Sequence, residues 1–368
     1  MNIKKEHHIF ADIDLIEQEA KDQFESAMNL DCVVKGALMP DVHTGYTLPI
    51  GSVVAVDGNI FPSFVGYDIG CGMCALPMDI DKALIEEHKE KIFNSIYRSI
   101  PVGFNHNQKD SEWDNDIELT KQSKEIFDKN GLKQLCSLGG GNHFIEIGFD
   151  ENNKTWIIIH SGSRGIGHAV ASYYMRLASG DGKAREGHFG FDVNSQNGKD
   201  YITDLNFCLE FALENRKQII ARVERELNHY CGGQGDWSRL INRNHNHAEL
   251  KDGLWIHRKG ATHAENGMMG VIPGNMRDGS FIVKGKGNPD SLFSSSHGAG
   301  RVLGRKQAQR ELKFEDFTKT MEGVKAKIGK DTLDESPFAY KNIFDVMDKQ
   351  KELVEIIHHV KPLINIKG

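Results

Sequence analysis

The 17 histidines and 38 glycines of this chain are not spread evenly. They gather in a few short stretches next to runs of branched apolar residues, and that pattern constrains the fold more than any other feature. Glycine lets the backbone take up positive φ and approach a phosphate closely. Histidine is the commonest metal ligand and an acid–base group near neutral pH. A chain that places the two together beside apolar runs is built to carry chemistry on loops held by a rigid scaffold.

The scaffold is legible in outline. Apolar spacing predicts amphipathic helices over 12–29, 81–98, 203–230, 312–327 and 343–359, and β-branched runs predict strands at 52–56, 156–160, 281–284 and 362–366. The expected class is α+β, with mixed sheets flanked by helices. The polar stretches 105–116 and 179–197 read as loops, but candidate ligands lie on both sides of each, so a single domain over 1–368 is expected. The opening MNIKKEHHIFADIDL has basic residues without a following apolar run, which does not read as a secretory signal. Six widely spaced cysteines do not form a disulfide framework, so a cytoplasmic, reducing setting is expected. No apolar run approaches the ~20 residues of a membrane helix, so no membrane association is expected. A net charge of −7 weighs against a general nucleic-acid coat protein and leaves room for a local basic groove.

Several stretches could hold a metal. In GYDIGCGMC, Asp68 and Cys71 stand three apart in a glycine-rich turn, and a carboxylate with a thiolate suits Mn, Zn or Co. Cys71 and Cys74 also form a C-x-x-C, but no second one exists for a four-thiolate zinc site, and Cys74 reads equally well as core. LGGGNHFIE presents His143 after three glycines, WIIIHSGSRG ends a buried strand in His160, and NHNHAE carries His245. Any one of these histidines could be structural, but three that abut Gly, Asn or Ser turns are harder to set aside. GSRGIG lacks the G-x-G-x-x-G spacing of a dinucleotide loop. The tripeptide His245-Asn246-His247 has almost no specificity for an HNH nuclease.

The richest stretch is SSSHGAGRVLGR, where His297 follows three serines and precedes Gly298, Ala299, Gly300 and Arg301. Small residues, hydroxyls, backbone N–H groups and arginines suit a phosphate, and a histidine among them can attack phosphorus, act as a general base or simply bind an anion. HRKGAT (257–262) and IPGNMRDGS (272–280) read either as phosphate or RNA loops or as solvated turns. No Walker A sequence is present.

Taken in order, MPDVHTG (39–45), GYDIGCGM (66–73), LGGGNHFIE (138–146), HSGSRG (160–165), HNHA (245–248), HRKGAT (257–262), PGNM (273–276), SHGAGR (296–301), AYKN (339–342) and KPLINIKG (361–368) closely resemble the RtcB family of RNA ligases. The resemblance covers essentially the whole chain. It implies a single α/β domain that departs from the nucleotidyltransferase fold of ATP-dependent ligases. It implies metal ligands Asp68, Cys71, His143, His160 and His245, with one or two Mn²⁺ ions bridged by the thiolate (Zn²⁺ or Co²⁺ also fit). It makes His297 the residue that becomes guanylylated by GTP, oriented by Asp41. Asn142 and Asn246 would contact the GTP phosphates, Glu146 and Ser280 guanine, Tyr340 and Lys367 the nucleotide, and Arg164 RNA phosphate. The substrates implied are RNA 3′-phosphate or 2′,3′-cyclic phosphate ends and 5′-hydroxyl ends, in RNA repair or tRNA splicing, with room for an archease-like activating partner. Departures are Gly304, where many members carry serine, and Phe104-Asn105-His106, without a further glycine. The readings set against this one are a metal-dependent phosphoesterase and a non-catalytic RNA-binding relative.

Overall fold

The run KTWIIIHS forms the strand Lys154–Ser161, buried on both faces along nearly its whole length. A strand covered on both sides needs no apolar–polar alternation. In the computed structural model, which describes residue 1 and residues 3–368, this strand lies within an eight-stranded sheet. The order is Met269–Pro273, Ser280–Gly285, Val354–Lys367, Phe144–Phe149, Lys154–Ser161, Gly72–Asp81 and Ile241–Asn244, with Lys325–Ala326 beside Val354–Lys367. All pairings are antiparallel except that of Lys325–Ala326.

Successive side chains on a strand point to opposite faces. Cys74, Leu76, Ile145, Ile147, Ile157 and Ile159 face one way and pack on the helices Lys82–Ser99 and Gln196–Cys231 through Ile92, Ile219 and Val223. Met73, Ala75, Phe144, Trp156 and Ile158 face the other way, against Val271 and Ile282. The same alternation puts His160 and Glu146 on this second face, away from the helices.

A five-stranded sheet, ordered Glu6–Ile9, Val33–His43, Ile50–Val56, Leu254–Lys259 and Asn246–Lys251, is backed by the helix Gln18–Met28 through Ala20, Phe24 and Met28. His245 is the single residue between Ile241–Asn244 of the larger sheet and Asn246–Lys251 of the smaller one, so the chain crosses between sheets at a candidate ligand. A two-stranded ribbon, Ala261–His263 with Ser294–Ser296, ends directly before His297.

Two expected helices are shorter than their apolar spacing suggests. The segment 312–327 is helical only over Phe314–Thr320, with Gly323 at φ 92° breaking the chain before Lys325–Ala326. The segment 343–359 is helical only over Ile343–Asp348; from Val354 it becomes the long strand that runs to Lys367. Val354, Ile356, Ile357 and Val360 satisfy helical and strand patterns alike, and their branched Cβ atoms favour the strand. The loops 105–116 and 179–197 are largely irregular, except for the short strand Phe191–Asp192 and the start of the helix at Gln196. Among the described residues, no helix is long and apolar enough to cross a membrane.

Beneath the site, the fully buried Arg216 donates to Gly70 O (2.8 Å), Ser161 O (2.9 Å), Asn242 Oδ1 (2.7 Å) and Asn244 Oδ1 (2.6 Å). It ties the turn before Gly72–Asp81 to the ends of two strands. Replacing it with methionine keeps the volume but leaves buried acceptors without donors, each costing about 1–3 kcal/mol. Arg216→Met is therefore expected to lower unfolding stability by about 3 kcal/mol or more; an unchanged denaturant midpoint would contradict this.

Candidate active site

Asp68 and Cys71 sit on the turn between the short helix Pro62–Val65 and the strand Gly72–Asp81. His143 directly precedes Phe144–Phe149, and His160 lies near the end of Lys154–Ser161. The register places Phe144 opposite His160 and His160 opposite Met73, so neighbouring strands deliver these side chains to one end of the sheet. Cys71 Sγ lies 3.1 Å from His160 Nε2 and 3.4 Å from His143 Nε2. His160 Nε2 is 3.3 Å from His245 Nε2, and His143 Nε2 is 3.2 Å from Asp68 Oδ2.

The donors fall into two trios, Cys71–His160–His245 and Asp68–Cys71–His143, which share the thiol. Donor atoms about 3.5 Å apart are what a cation with bonds of about 2.0–2.3 Å requires. Burial holds His160 and His245 well below the ordinary imidazole pKa, so both are neutral and offer lone pairs. His160 Nδ1 lies 3.2 Å from the Asn142 carbonyl, to which it can only donate, and this leaves Nε2 as the ligand atom. Burial, reinforced by Asp68, pushes the Cys71 thiol well above its usual value. Partial burial raises Asp68, but the hydrogen bond and charge of His143 outweigh it and hold the carboxyl at about 2. A buried thiol beside the neutral imidazoles of His160 and His245 and an ionised carboxylate is a donor set that fits a metal ion, which would also stabilise the thiolate.

The ribbon delivers His297 to the same region, with its ring centroid 4.9 Å from that of His245. The carboxylate of Asp41, fully buried on the strand Val33–His43, accepts through Oδ2 from His297 Nδ1 (2.7 Å), His297 N (3.1 Å) and Gly298 N (3.2 Å). Burial would raise its pKa, but the charge and hydrogen bond of His297 hold it below the ordinary carboxylate value. An ionised Asp41 keeps the proton on Nδ1, so Nε2 carries the lone pair. Gly300 (φ 75°) closes this contact, since a Cβ there would lie 2.3 Å from the Asp41 carbonyl oxygen.

A cavity of about 280 Å³ runs from His297 and His160 past Asn142, Gly298, Ala299, Gly300 and Arg301 to Glu146, Ser280, Tyr340 and Lys367. Its far end is laid out by strand register. Asn365 pairs with Glu146, and Lys367 with Phe144. Directly paired residues share a face, which puts Asn365, Lys367, Glu146, Phe144 and His160 on one wall. Ser280 Oγ donates to Glu146 Oε1 (3.0 Å) and Asn365 Nδ2 to Oε2 (3.3 Å). Burial pushes Glu146 up to about 7, even though Ser280, Asn365 and Lys367 pull it down.

Some expected residues stand elsewhere or are otherwise engaged. Asn246 does not line the cavity; its amide joins Gly260 N (2.8 Å) to Asp68 O (3.2 Å) and so positions both loops. Arg164 opens a helix at φ 59° and donates to Ser137 Oγ (3.0 Å) and Gly103 O (2.6 Å). In HRKGAT, Arg258 is buried on Ser294, His247 and Glu249, and Lys259 on Ser63 O. Cys74 faces the helices and takes no part in the cluster. His43, Asn365 and Glu335 carry no motif of their own in the sequence. Strand alternation from Asp41 and from Lys367 points to the first two. Nothing in a single sequence marks the third.

Fold and site define a mixed α/β enzyme in which a cation-binding Asp/Cys/His cluster opens into the cavity of a carboxylate-held histidine. A family model described as tRNA-splicing ligase RtcB matches residues 23–368. RNA-splicing ligase RtcB of Escherichia coli K12 is 33% identical, covering 96% of this chain and 95% of the relative. RNA-splicing ligase RtcB homolog 1 of Entamoeba dispar is 27% identical over 94% of this chain and 81% of its own length. tRNA-splicing ligase RtcB of Thermococcus kodakarensis is 27% identical over 98% and 94%. The chain belongs to the RtcB family of RNA ligases.

Because Cys71 is common to both trios, Cys71→Ala should strip metal from both. Elemental analysis is expected to show bound metal falling to background after dialysis, and unchanged stoichiometry would rule out the shared-thiol arrangement.

Proposed function

We propose that this chain is a GTP-dependent ligase joining RNA 3′-phosphate or 2′,3′-cyclic phosphate ends to 5′-hydroxyl ends, in RNA repair or tRNA splicing, through a covalent histidine–GMP intermediate. The observation that carries the reading is the Asp41–His297 pair, which faces a cavity shared with the metal cluster at one end and a buried carboxylate at the other. Asp68, Cys71, His143, His160 and His245 would hold one or two Mn²⁺, with Zn²⁺ or Co²⁺ as other ions that suit these donors. A bound cation would neutralise charge developing on phosphate oxygens.

His297 Nε2 attacks the α-phosphorus of GTP; the P–N bond forms as the bond to pyrophosphate breaks. Asp41 holds the ring and stabilises the charge it gains. A 3′-phosphate oxygen of RNA then takes GMP from His297, and the 5′-hydroxyl of the second RNA attacks that activated end and releases GMP. A 2′,3′-cyclic phosphate is first opened by water. At the cavity's far end, ionised Glu146 accepts from N1–H and the N2 amine of guanine, a donor pair that adenine lacks. A hydrolase using the same cluster would have no need of this buried base-reading carboxylate. Site residues from Asp41 to Lys367 support one domain over 1–368.

Incubation with α-labelled GTP and Mn²⁺ is expected to give an acid-labile, alkali-stable protein adduct. His297→Ala should abolish it with metal content unchanged; a variant that still accepts label would sink the nucleophile assignment.

Glu146 also predicts a pH dependence. Only its ionised form accepts both guanine donors, so GTP affinity should rise about tenfold per pH unit up to about 7 and then level off. Stability without nucleotide runs the opposite way: a raised carboxyl pKa contributes stability below the unfolded value of about 4.5, and this is lost as pH rises through about 7. GTP titrations at pH 6 and 8 check the first trend, and Glu146→Gln should flatten it. Equal affinity at both pH values would contradict the assignment.

A further inference from the structure

Four groups lining the cavity, Arg301, Arg305, Tyr340 and Lys367, converge on a carboxylate that does not line it, that of Glu335. Its side chain is 4% exposed. Oε1 accepts from Arg301 Nη1 (3.2 Å) and Arg305 Nη1 (2.7 Å), and Oε2 from the Tyr340 hydroxyl (2.7 Å) and Lys367 Nζ (2.8 Å). Although burial opposes ionisation, Lys367 and Arg305 hold Glu335 at about 2, so it carries a full charge at neutral pH.

The arginines are already committed. Arg301 also donates to Leu303 O (3.0 Å), Asp334 O (2.6 Å) and the Tyr340 hydroxyl (3.1 Å), and Arg305 also donates to Asp334 Oδ2 (2.7 Å). Lys367 is different, because Glu335 is the only hydrogen-bond acceptor its ammonium has among the described residues. Two residues away on the same strand face, Asn365 touches Glu146, the second carboxylate within the reach of that ammonium's charge. The strand register sets Lys367 diagonal to Glu146, within the reach of a long side chain, so its ammonium can serve either carboxylate. If it closes on Glu146, it takes the acceptors that guanine would need.

We propose that Glu335 is a positioning residue for nucleotide selection, which anchors Lys367 to the side of the cavity and so leaves the Glu146 carboxylate free to read the base. The inference rests on the GTP-ligase reading. Loss of the anchor should act on nucleotide binding and base choice more than on phosphoryl transfer, because no hydrogen bond of Glu335 or of the Lys367 ammonium reaches His297 or Asp41.

The test is single-turnover guanylylation of the full chain with labelled GTP and Mn²⁺, with ATP as competitor, in the wild type, Glu335→Gln, Glu335→Asp, Lys367→Met and the Glu335→Gln/Lys367→Met double variant. Glu335→Gln is expected to raise half-saturating GTP about 10–100-fold, by analogy with the loss when a group that orients a metal-binding side chain is removed. The limiting rate should stay within about threefold, and GTP-over-ATP preference should fall. Glu335→Asp should restore part of the loss. The double variant should match Lys367→Met within about twofold, as expected when one residue acts through the other. If Glu335→Gln loses its metal and fails to fold, the same comparison is made with Glu335→Asp. Unchanged half-saturation, a loss confined to the limiting rate, or multiplying effects in the double variant would overturn the proposal. A wild type that forms no adduct would instead bring down the ligase reading, and this inference with it.

Discussion

The carboxylate of Asp41 has no exposed surface, yet it is held ionised while accepting from three N–H groups, and the loop of His297 is arranged around that fact. An isolated charge so deep in a protein would be strongly destabilising. Two of the three donors are backbone groups at residues 297 and 298, so the chain after Ser294–Ser296 must pass directly across the strand Val33–His43. Gly300 follows from that crossing, since any side chain there would meet the same strand. The third donor is the imidazole itself. One oxygen atom therefore sets the path of a loop, the orientation of a ring and the nitrogen that holds the lone pair.

The metal cluster solves a different problem. The imidazoles of His160 and His245 are neutral because they are buried, and the Cys71 thiol resists deprotonation for the same reason. Burial thus readies the histidines as ligands while leaving the thiolate dependent on the ion. Arg216 holds the supporting backbone from below, and Asn246, which touches both Asp68 O and Gly260 N, links the metal turn to the loop beside His297.

Much of this is legible in the sequence. Asp68, Cys71, His143, His160 and His245 do converge, because Asp68 and Cys71 lie on the turn into one strand, His143 and His160 stand at the ends of two others, and His245 joins the two sheets. The glycine-flanked histidines signalled those strand ends. The strand from Val354 reads as helix over its first residues, since a β-branched run with apolar residues three and four apart satisfies both periods. Asn246 opens a strand and Arg164 a helix within stretches the sequence marks, but local spacing does not show which way an amide or guanidinium turns, and both spend their donors on backbone or neighbouring side chains. Glu335 was invisible for a deeper reason. Its importance lies in long-range partners at 301, 305 and 367, and nothing within a few residues of it encodes them.

The strand Val354–Lys367 lies between Ser280–Gly285 and Phe144–Phe149. The hairpin formed by Phe144–Phe149 and Lys154–Ser161 therefore waits, during synthesis, for a partner roughly two hundred residues downstream, and such non-local pairing is slow. Until then it has an open edge of unpaired backbone groups beside an uncovered apolar face, a surface prone to aberrant association. The wall that carries Glu146, Asn365 and Lys367 closes only when that gap is filled. A nascent chain thus carries an incomplete cavity wall until that strand emerges, the stage at which a chaperone would have most to shield.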